Sequence, residues 1–211
     1  MDRYVPRVST LIDQSDYRRL EGVIEYFRQH ARLPSDFESH EYRRSDYDCT
    51  LSPAVLKQWR DKFHAPRTSP LLVTRDGQLA SHVHILIVEG FLTFFDTRVS
   101  NLLQVRLFLR VSKHLIKKRR DERANYVLED GEVWVDPPFY FDEIVWPAYL
   151  EAHARMFANG DVEKGAPIET TSRDSDGGPV PHLTLIEAED RGTEAVVQDA
   201  CNAIYTFAWK Q

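Results

Sequence analysis

His84-Ile85-Leu86-Ile87-Val88-Glu89-Gly90 is the stretch whose reading decides the fold class: a short run of branched apolar residues closed by an acid and a glycine. Continuous apolar character, without alternation, is what a parallel strand buried on both faces requires. Working outward, Val105 to Val111 is a second such run. Ser112 follows as a helix cap, with Leu115 and Ile116 on the inner side of the helix it opens. Leu183 to Ile186 forms a third run, and Val197, Cys201, Ile204 and Ala208 mark the face of the helix after it. Strands alternating with helices predict an α/β fold with a mostly parallel sheet.

The flanking segments fit the same scheme. Leu20, Val23, Ile24 and Phe27 recur at helical spacing behind Ser15-Asp16, which predicts a capped helix over 16–31. Residues 33–50 are polar and aperiodic, as in a surface loop. Ser52-Pro53 opens a second helix with Val55, Leu56, Trp59 and Phe63 on its apolar face. Trp146, Tyr149, Leu150, Met156 and Phe157 follow helical spacing after Asp142 and read as core, with Pro147 giving a kink or a late start. Gly160 to Val180 is rich in Gly, Asp, Ser and Thr and reads as a flexible connection.

A length of 211 residues with 42% hydrophobic residues predicts one globular domain over 1–211. Lys and Arg total 27 against 33 Asp and Glu, a net charge of -6, which argues against nucleic acid and polybasic membrane attachment as partners. Cys49 and Cys201 lie far apart and outside any CxxC spacing, so neither a disulfide framework nor a zinc knuckle is expected. No apolar run reaches the roughly 20 residues of a membrane span, and the charged start lacks the apolar core of a secretory signal. A cytoplasmic location is expected.

Three features carry candidate chemistry. Glu89 ends a strand where open α/β sheets place their ligands; it suits a proton acceptor or a metal-water contact, or equally a strand-end acid paired with a base. Lys117, Lys118, Arg119, Arg120 and Arg123 form a basic cluster, which suits phosphate oxygens or simply complements a helix C-terminus. His82 and His84 alternate onto one strand face, but no third ligand at a diagnostic spacing accompanies them.

Ile85 to Phe91, the 117–123 cluster and Trp134-Val135-Asp136-Pro137-Pro138-Phe139-Tyr140-Phe141-Asp142-Glu143 occur in an order that closely resembles the nicotinamide riboside kinases, especially their fungal members. Asn159-Gly160-Asp161-Val162-Glu163 is similar as well, and the likeness spans most of residues 18–210. The resemblance implies a P-loop kinase-like three-layer fold, related to uridine kinase. It also implies transfer of a phosphoryl group from ATP, with Mg²⁺, to the 5'-hydroxyl of nicotinamide riboside, a step of NAD salvage.

By position, Glu89 resembles the family's base or metal-water ligand, Arg119 and Arg123 its ATP-phosphate contacts, and Arg120 a contact to the nucleoside. Leu11-Ile12-Asp13-Gln14-Ser15-Asp16-Tyr17 resembles a segment usually reading Gln-Asp-Asp-Phe. Asp16 then matches the ribose-binding acid and candidate base, a role that competes with its reading as a helix cap.

Two departures qualify the resemblance. No Gly-Lys dipeptide occurs, so the phosphate-cradling Gly-x-x-x-x-Gly-Lys-Ser/Thr is absent from these residues. A strand, that loop and a helix need roughly 25 residues, more than precede Asp16. The N-terminal strand, P-loop and helix are therefore expected to be missing, the domain N-terminally incomplete, and ATP binding weak. The segment after Asp16-Tyr17 is also shorter than in the family. Loss of a strand from within a sheet would expose apolar faces and unpaired backbone. The rival readings are a noncatalytic kinase-like protein that binds nucleosides or a protein, and uridine kinase or another small-molecule kinase.

Overall fold

The computed structural model describes residues 14–37, 51–64, 84–122, 126–127, 133–171 and 178–209. Helix α1 spans Gln14–His30, α2 Pro53–His64 and the short α3 Thr97–Leu102. Strand β1, Arg106–Arg110, leads into α4, Lys113–Glu122. The short strands β2, Tyr126–Val127, and β3, Val133–Trp134, pair antiparallel. A π-turn over Phe141–Val145 runs into α5, Trp146–His153. Strand β4, Leu183–Glu187, and helix α6, Thr193–Trp209, complete the order. The result is a mixed helix and strand protein around a small parallel sheet, as an α/β reading requires.

Strands β1 and β4 run parallel, with Arg106 opposite Leu183, Phe108 opposite Leu185 and Arg110 opposite Glu187. Their inner face packs a core of Phe94, Phe108, Met156, Phe157, Val162 and Val180. Phe157 is fully buried and meets Phe108 edge-on, with ring centroids 5.1 Å apart. Arg110 locks this corner. Its guanidinium takes both Glu187 oxygens, donates to the Gly165 carbonyl at 2.6 Å, and lies 5.4 Å from the Phe157 ring centroid. Arg106, also buried, donates from Nε to the Ser100 carbonyl at 2.8 Å and from Nη1 to the Pro181 carbonyl at 3.1 Å.

The helix starts follow the capping chemistry. Ser52 Oγ accepts from the Val55 amide at 3.3 Å with Pro53 at the first helical position, and Ser112 Oγ accepts from the Leu115 amide at 3.3 Å. Ser52 N–H in turn donates to Glu194 at 2.7 Å, which ties α2 to α6, where Trp59 and Phe63 meet Tyr205 edge-on. Leu56 is the exception on the α2 face, 47% exposed beside buried Val55 and Trp59. Helix α1 begins at Gln14, so Asp16 sits inside its first turn rather than before it. There its charge still complements the positive end of the helix dipole.

The expected strand at 84–88 does not form: these residues are irregular, with Ile85 54% and Ile87 79% exposed. Apolar composition prepares a segment for a sheet, but a strand exists only when a neighbour takes its N–H and C=O groups. Among the described residues β1 pairs with β4 alone, and Leu109 on β1 is 56% exposed. Apolar groups are thus left bare where an additional strand was expected to lie.

Gly160 to Val180 also departs from expectation. Residues 172–177 lie outside the described residues, but the rest is built rather than loose. Val162 and Val180 are in the core, the Ala158 amide donates to the Ala166 carbonyl at 2.9 Å, and Asp161 Oδ1 accepts from the Glu163 and Lys164 amides. Polar composition was misleading because these polar groups fold onto each other while the apolar minority points inward. A Cβ on Gly165 would lie 2.4 Å from the Asp161 carbonyl oxygen and 2.8 Å from that of Ala158, both backbone atoms. Gly165→Ala is therefore expected to cost more than about 1 kcal/mol in urea unfolding. A change within about 0.5 kcal/mol would mean that the segment is a true linker.

Candidate functional site

Glu89 is exposed at the head of a tight turn over 90–95. Within the turn Thr93 Oγ1 donates to the Gly90 carbonyl at 2.9 Å and the Phe95 amide to the Leu92 carbonyl at 2.9 Å. The turn ends at Asp96, which caps α3 by accepting from the Arg98 amide at 2.8 Å. The Arg98 side chain beside it, the larger influence, and the amide contact hold the Asp96 carboxyl below its ordinary value of 3.8.

Asp16 is exposed at the start of α1, and its neighbour Tyr17 reaches this turn: the Tyr17 hydroxyl donates to the Leu92 carbonyl at 3.0 Å. Burial, with lesser help from Asp96 and Asp16, pushes the Tyr17 hydroxyl up to about 12, so it remains a donor at neutral pH. The chain beside Asp16 is in this way fastened to the turn that follows Glu89.

The basic helix belongs to a second group of contacts. Arg120 forks onto Asp136, with Nη2 3.0 Å from Oδ1, and its guanidinium lies 6.0 Å from the Tyr140 ring centroid. Lys117 and Lys113 both pair with Asp142, Lys113 at 2.9 Å. Hydrogen bonds from those two lysines hold the Asp142 carboxyl below its ordinary 3.8 and raise Lys117 above 10.5. Lys117 and Lys113 also lie over Phe141 and Trp146, at 5.9 and 5.6 Å. The 134–143 motif and the described part of the cluster, Lys117 to Arg120, separate in sequence, thus meet through Asp136 and Asp142. Lys118 and Glu122 approach at 3.9 Å, and Arg119 contributes to lowering Glu189, whose main partner is the Ser112 hydroxyl.

Arg119 and Arg120 therefore stand on α4, Asp16 at the start of α1, and Glu89 just before the turn. Arg123 and His82 lie outside the described residues, as does Cys49, and His84 is exposed. Among the described residues no group of three or more His, Cys, Asp or Glu is placed to hold a metal ion. Glu89 alone suits Mg²⁺ only as one water-mediated contact among others, since that ion takes one or two carboxylates together with substrate phosphates.

Sequence reading missed the side chains that fix the turn. His153 places Nε2 2.9 Å from the Phe91 carbonyl oxygen and Nδ1 2.6 Å from that of Tyr149. Arg155 donates to the carbonyls of Phe94, Phe95 and Gly178. A signal existed: His153 lies four residues after Tyr149 on an otherwise apolar helical face, where a polar ring needs partners.

The fold and its side chains define an α/β protein with a turn after Glu89 tied to the start of α1 and a basic helix held by acids. Comparison gives this class its relatives. A nicotinamide riboside kinase of Schizosaccharomyces pombe is 30% identical over 142 residues, 66% of this chain and 54% of that protein. One of Saccharomyces cerevisiae is 38% identical over 104 residues, covering 48% and 43% of the two chains, and human nicotinamide riboside kinase 2 is 41% identical over 81 residues, covering 38% and 32%. The chain is related to the nicotinamide riboside kinases across the matched residues, and it spans about half the length of the first two of these proteins. No family model matches, and no solved structure matches. No described helix is long and apolar enough to cross a membrane.

The buried imidazole has a measurable consequence. Burial holds His153 below its ordinary 6.5; the Tyr149 and Phe91 carbonyls oppose that shift and the Arg155 charge adds to it. A folded pKa below the unfolded one means that the unfolded chain binds the extra proton first. Stability from neutral His153 is then full above about pH 6.5 and is lost as pH falls from there through the lowered folded value. The lowered carboxyls of Asp96, Asp142, Glu189 and Glu194 lose theirs only at more acidic pH. Urea unfolding between about pH 7.5 and 5.5 should show falling stability, with a smaller slope in His153→Gln. An equal slope in both proteins would mean that His153 does not titrate on unfolding.

Proposed function

We propose that this chain is a nicotinamide riboside kinase-like protein of the P-loop kinase class that binds the nucleoside at the turn bearing Glu89. The observation that carries the reading is the relation to nicotinamide riboside kinases, at 30% identity over 142 residues in the fission yeast protein. The fastening of the α1 start to the Glu89 turn supports it. In this reading Asp16 accepts hydrogen bonds from the ribose hydroxyls, and Glu89 accepts the proton of the attacking 5'-hydroxyl. Ionised carboxylates are acceptors only, which suits both tasks.

Arg119 and Arg123 face the phosphates of ATP in this reading, and Arg120 the nucleoside once its fork to Asp136 opens. Bound Mg²⁺ would neutralise phosphate charge, with Glu89 contacting it through water. Because the 211 residues contain no Gly-Lys, they lack the backbone cradle and lysine that grip the outer phosphates in this class.

Calorimetric titration separates these points. Nicotinamide riboside is expected to bind the 211-residue chain, and Asp16→Ala to weaken it by about ten- to a hundredfold, the usual cost of losing hydrogen bonds to a charged group. Lys57→Ala, whose ion pair with Asp61 is exposed on α2, should leave affinity unchanged. MgATP is expected to bind weakly. Failure to bind nicotinamide riboside overturns the reading, and low-micromolar MgATP binding overturns the account of the phosphate site.

When the chain is joined behind a strand, phosphate loop and helix of the relatives, nicotinamide riboside should be phosphorylated, and Glu89→Gln should slow turnover by about a hundredfold or more. Equal turnover would remove Glu89 from the mechanism.

A further inference from the structure

Glu89 has few means of its own to hold its place. It is exposed, as are Gly90 and Phe91, the last at 79%, and the described residues before it, 84–88, form no strand. Restraint comes instead from the far side of the turn, where side chains of α1, of α5 and of the residues just after α5 grip four of its backbone carbonyls. His153 at the end of α5 meets the Phe91 carbonyl, Tyr17 of α1 the Leu92 carbonyl, and Arg155 those of Phe94 and Phe95.

We propose that His153 is a positioning residue for Glu89, its Nε2–H holding the Phe91 carbonyl two residues downstream and so fixing the direction in which the carboxylate leaves the turn. This rests on the proposed reading that the nucleoside binds at the turn with its 5'-hydroxyl against Glu89. The ring itself is rigidly placed. It is 3% exposed, it lies edge-on to Phe108 at 5.3 Å, and it packs against Tyr149 at 4.4 Å. Two carbonyl oxygens face its two nitrogens, and a neutral imidazole offers one N–H. Tyr149 lies one turn back on the same helix, where its carbonyl already belongs to the helical ladder. The proton therefore does more at Nε2, where it bridges α5 to the turn.

The test uses the 211-residue chain, His153→Leu, which keeps apolar bulk against Phe108, and His153→Gln, whose amide supplies an N–H near the position of Nε2. Nitrogen NMR of the imidazole should place a proton on Nε2; a proton on Nδ1 alone overturns the proposal. Amide hydrogen exchange at Phe95, whose N–H is held by the Leu92 carbonyl, should quicken at least tenfold in His153→Leu, return toward the parent in His153→Gln, and stay unchanged along α6 in both. Unchanged exchange at Phe95, or equal quickening along α6, overturns it.

Nicotinamide riboside titration then asks whether His153 acts through Glu89. His153→Leu should weaken binding at least fivefold in the parent and have no further effect in Glu89→Ala. Equal weakening in both backgrounds overturns the positioning role. If the parent binds no nicotinamide riboside while the exchange and NMR results hold, the clamp stands and the functional reading fails.

Discussion

The structure depends on one guanidinium. Arg110 closes β1 by gripping Glu187 at the end of β4, and the same guanidinium donates from Nη1 to the Gly165 carbonyl and faces the Phe157 ring. The parallel pair, the 157–167 segment and the main core therefore meet at a single buried charge. A buried arginine is tolerable only when its donors are satisfied, so each of those partners is constrained to stay. Two residues further on, Ser112 gives its N–H and hydroxyl to Glu189, which sets the start of α4. The place of the basic helix follows from that anchor, and the place of Asp136 and Asp142 follows from the basic helix.

Electrostatics sets two groups of contacts apart. At the start of α1, burial, with lesser help from Asp96 and Asp16, keeps Tyr17 protonated. On α4, Lys113 and Lys117 are answered by Asp142, and Arg120 by Asp136 in a half-buried pair.

Legibility in the sequence tracked how local the cause was. Ser52-Pro53 and Ser112 announce helix starts because a cap acts within its own turn. Phe108 and Ile186 announce strands whose partners are in the chain. Residues 84–88 show the same apolar signal and remain irregular, because pairing is a property of two segments and no described neighbour takes their backbone. The 160–171 segment misled in the opposite direction: its fixed shape comes from Arg110, fifty residues upstream in the chain, and no local pattern reveals that donor. Glu89 and the basic cluster were visible as residue types, whereas the clamp of Tyr17, His153 and Arg155 on backbone carbonyls was visible only in three dimensions.

A nitrogen–proton NMR titration of the chain with nicotinamide riboside decides whether the proposed nucleoside surface joins the α1 start to the Glu89 turn. Saturable shifts that share one affinity are expected at the amides of Asp16, Tyr17 and Glu89 to Leu92, with α6 left unmoved. Shifts confined to other parts of the molecule, or none at saturating nucleoside, would contradict it.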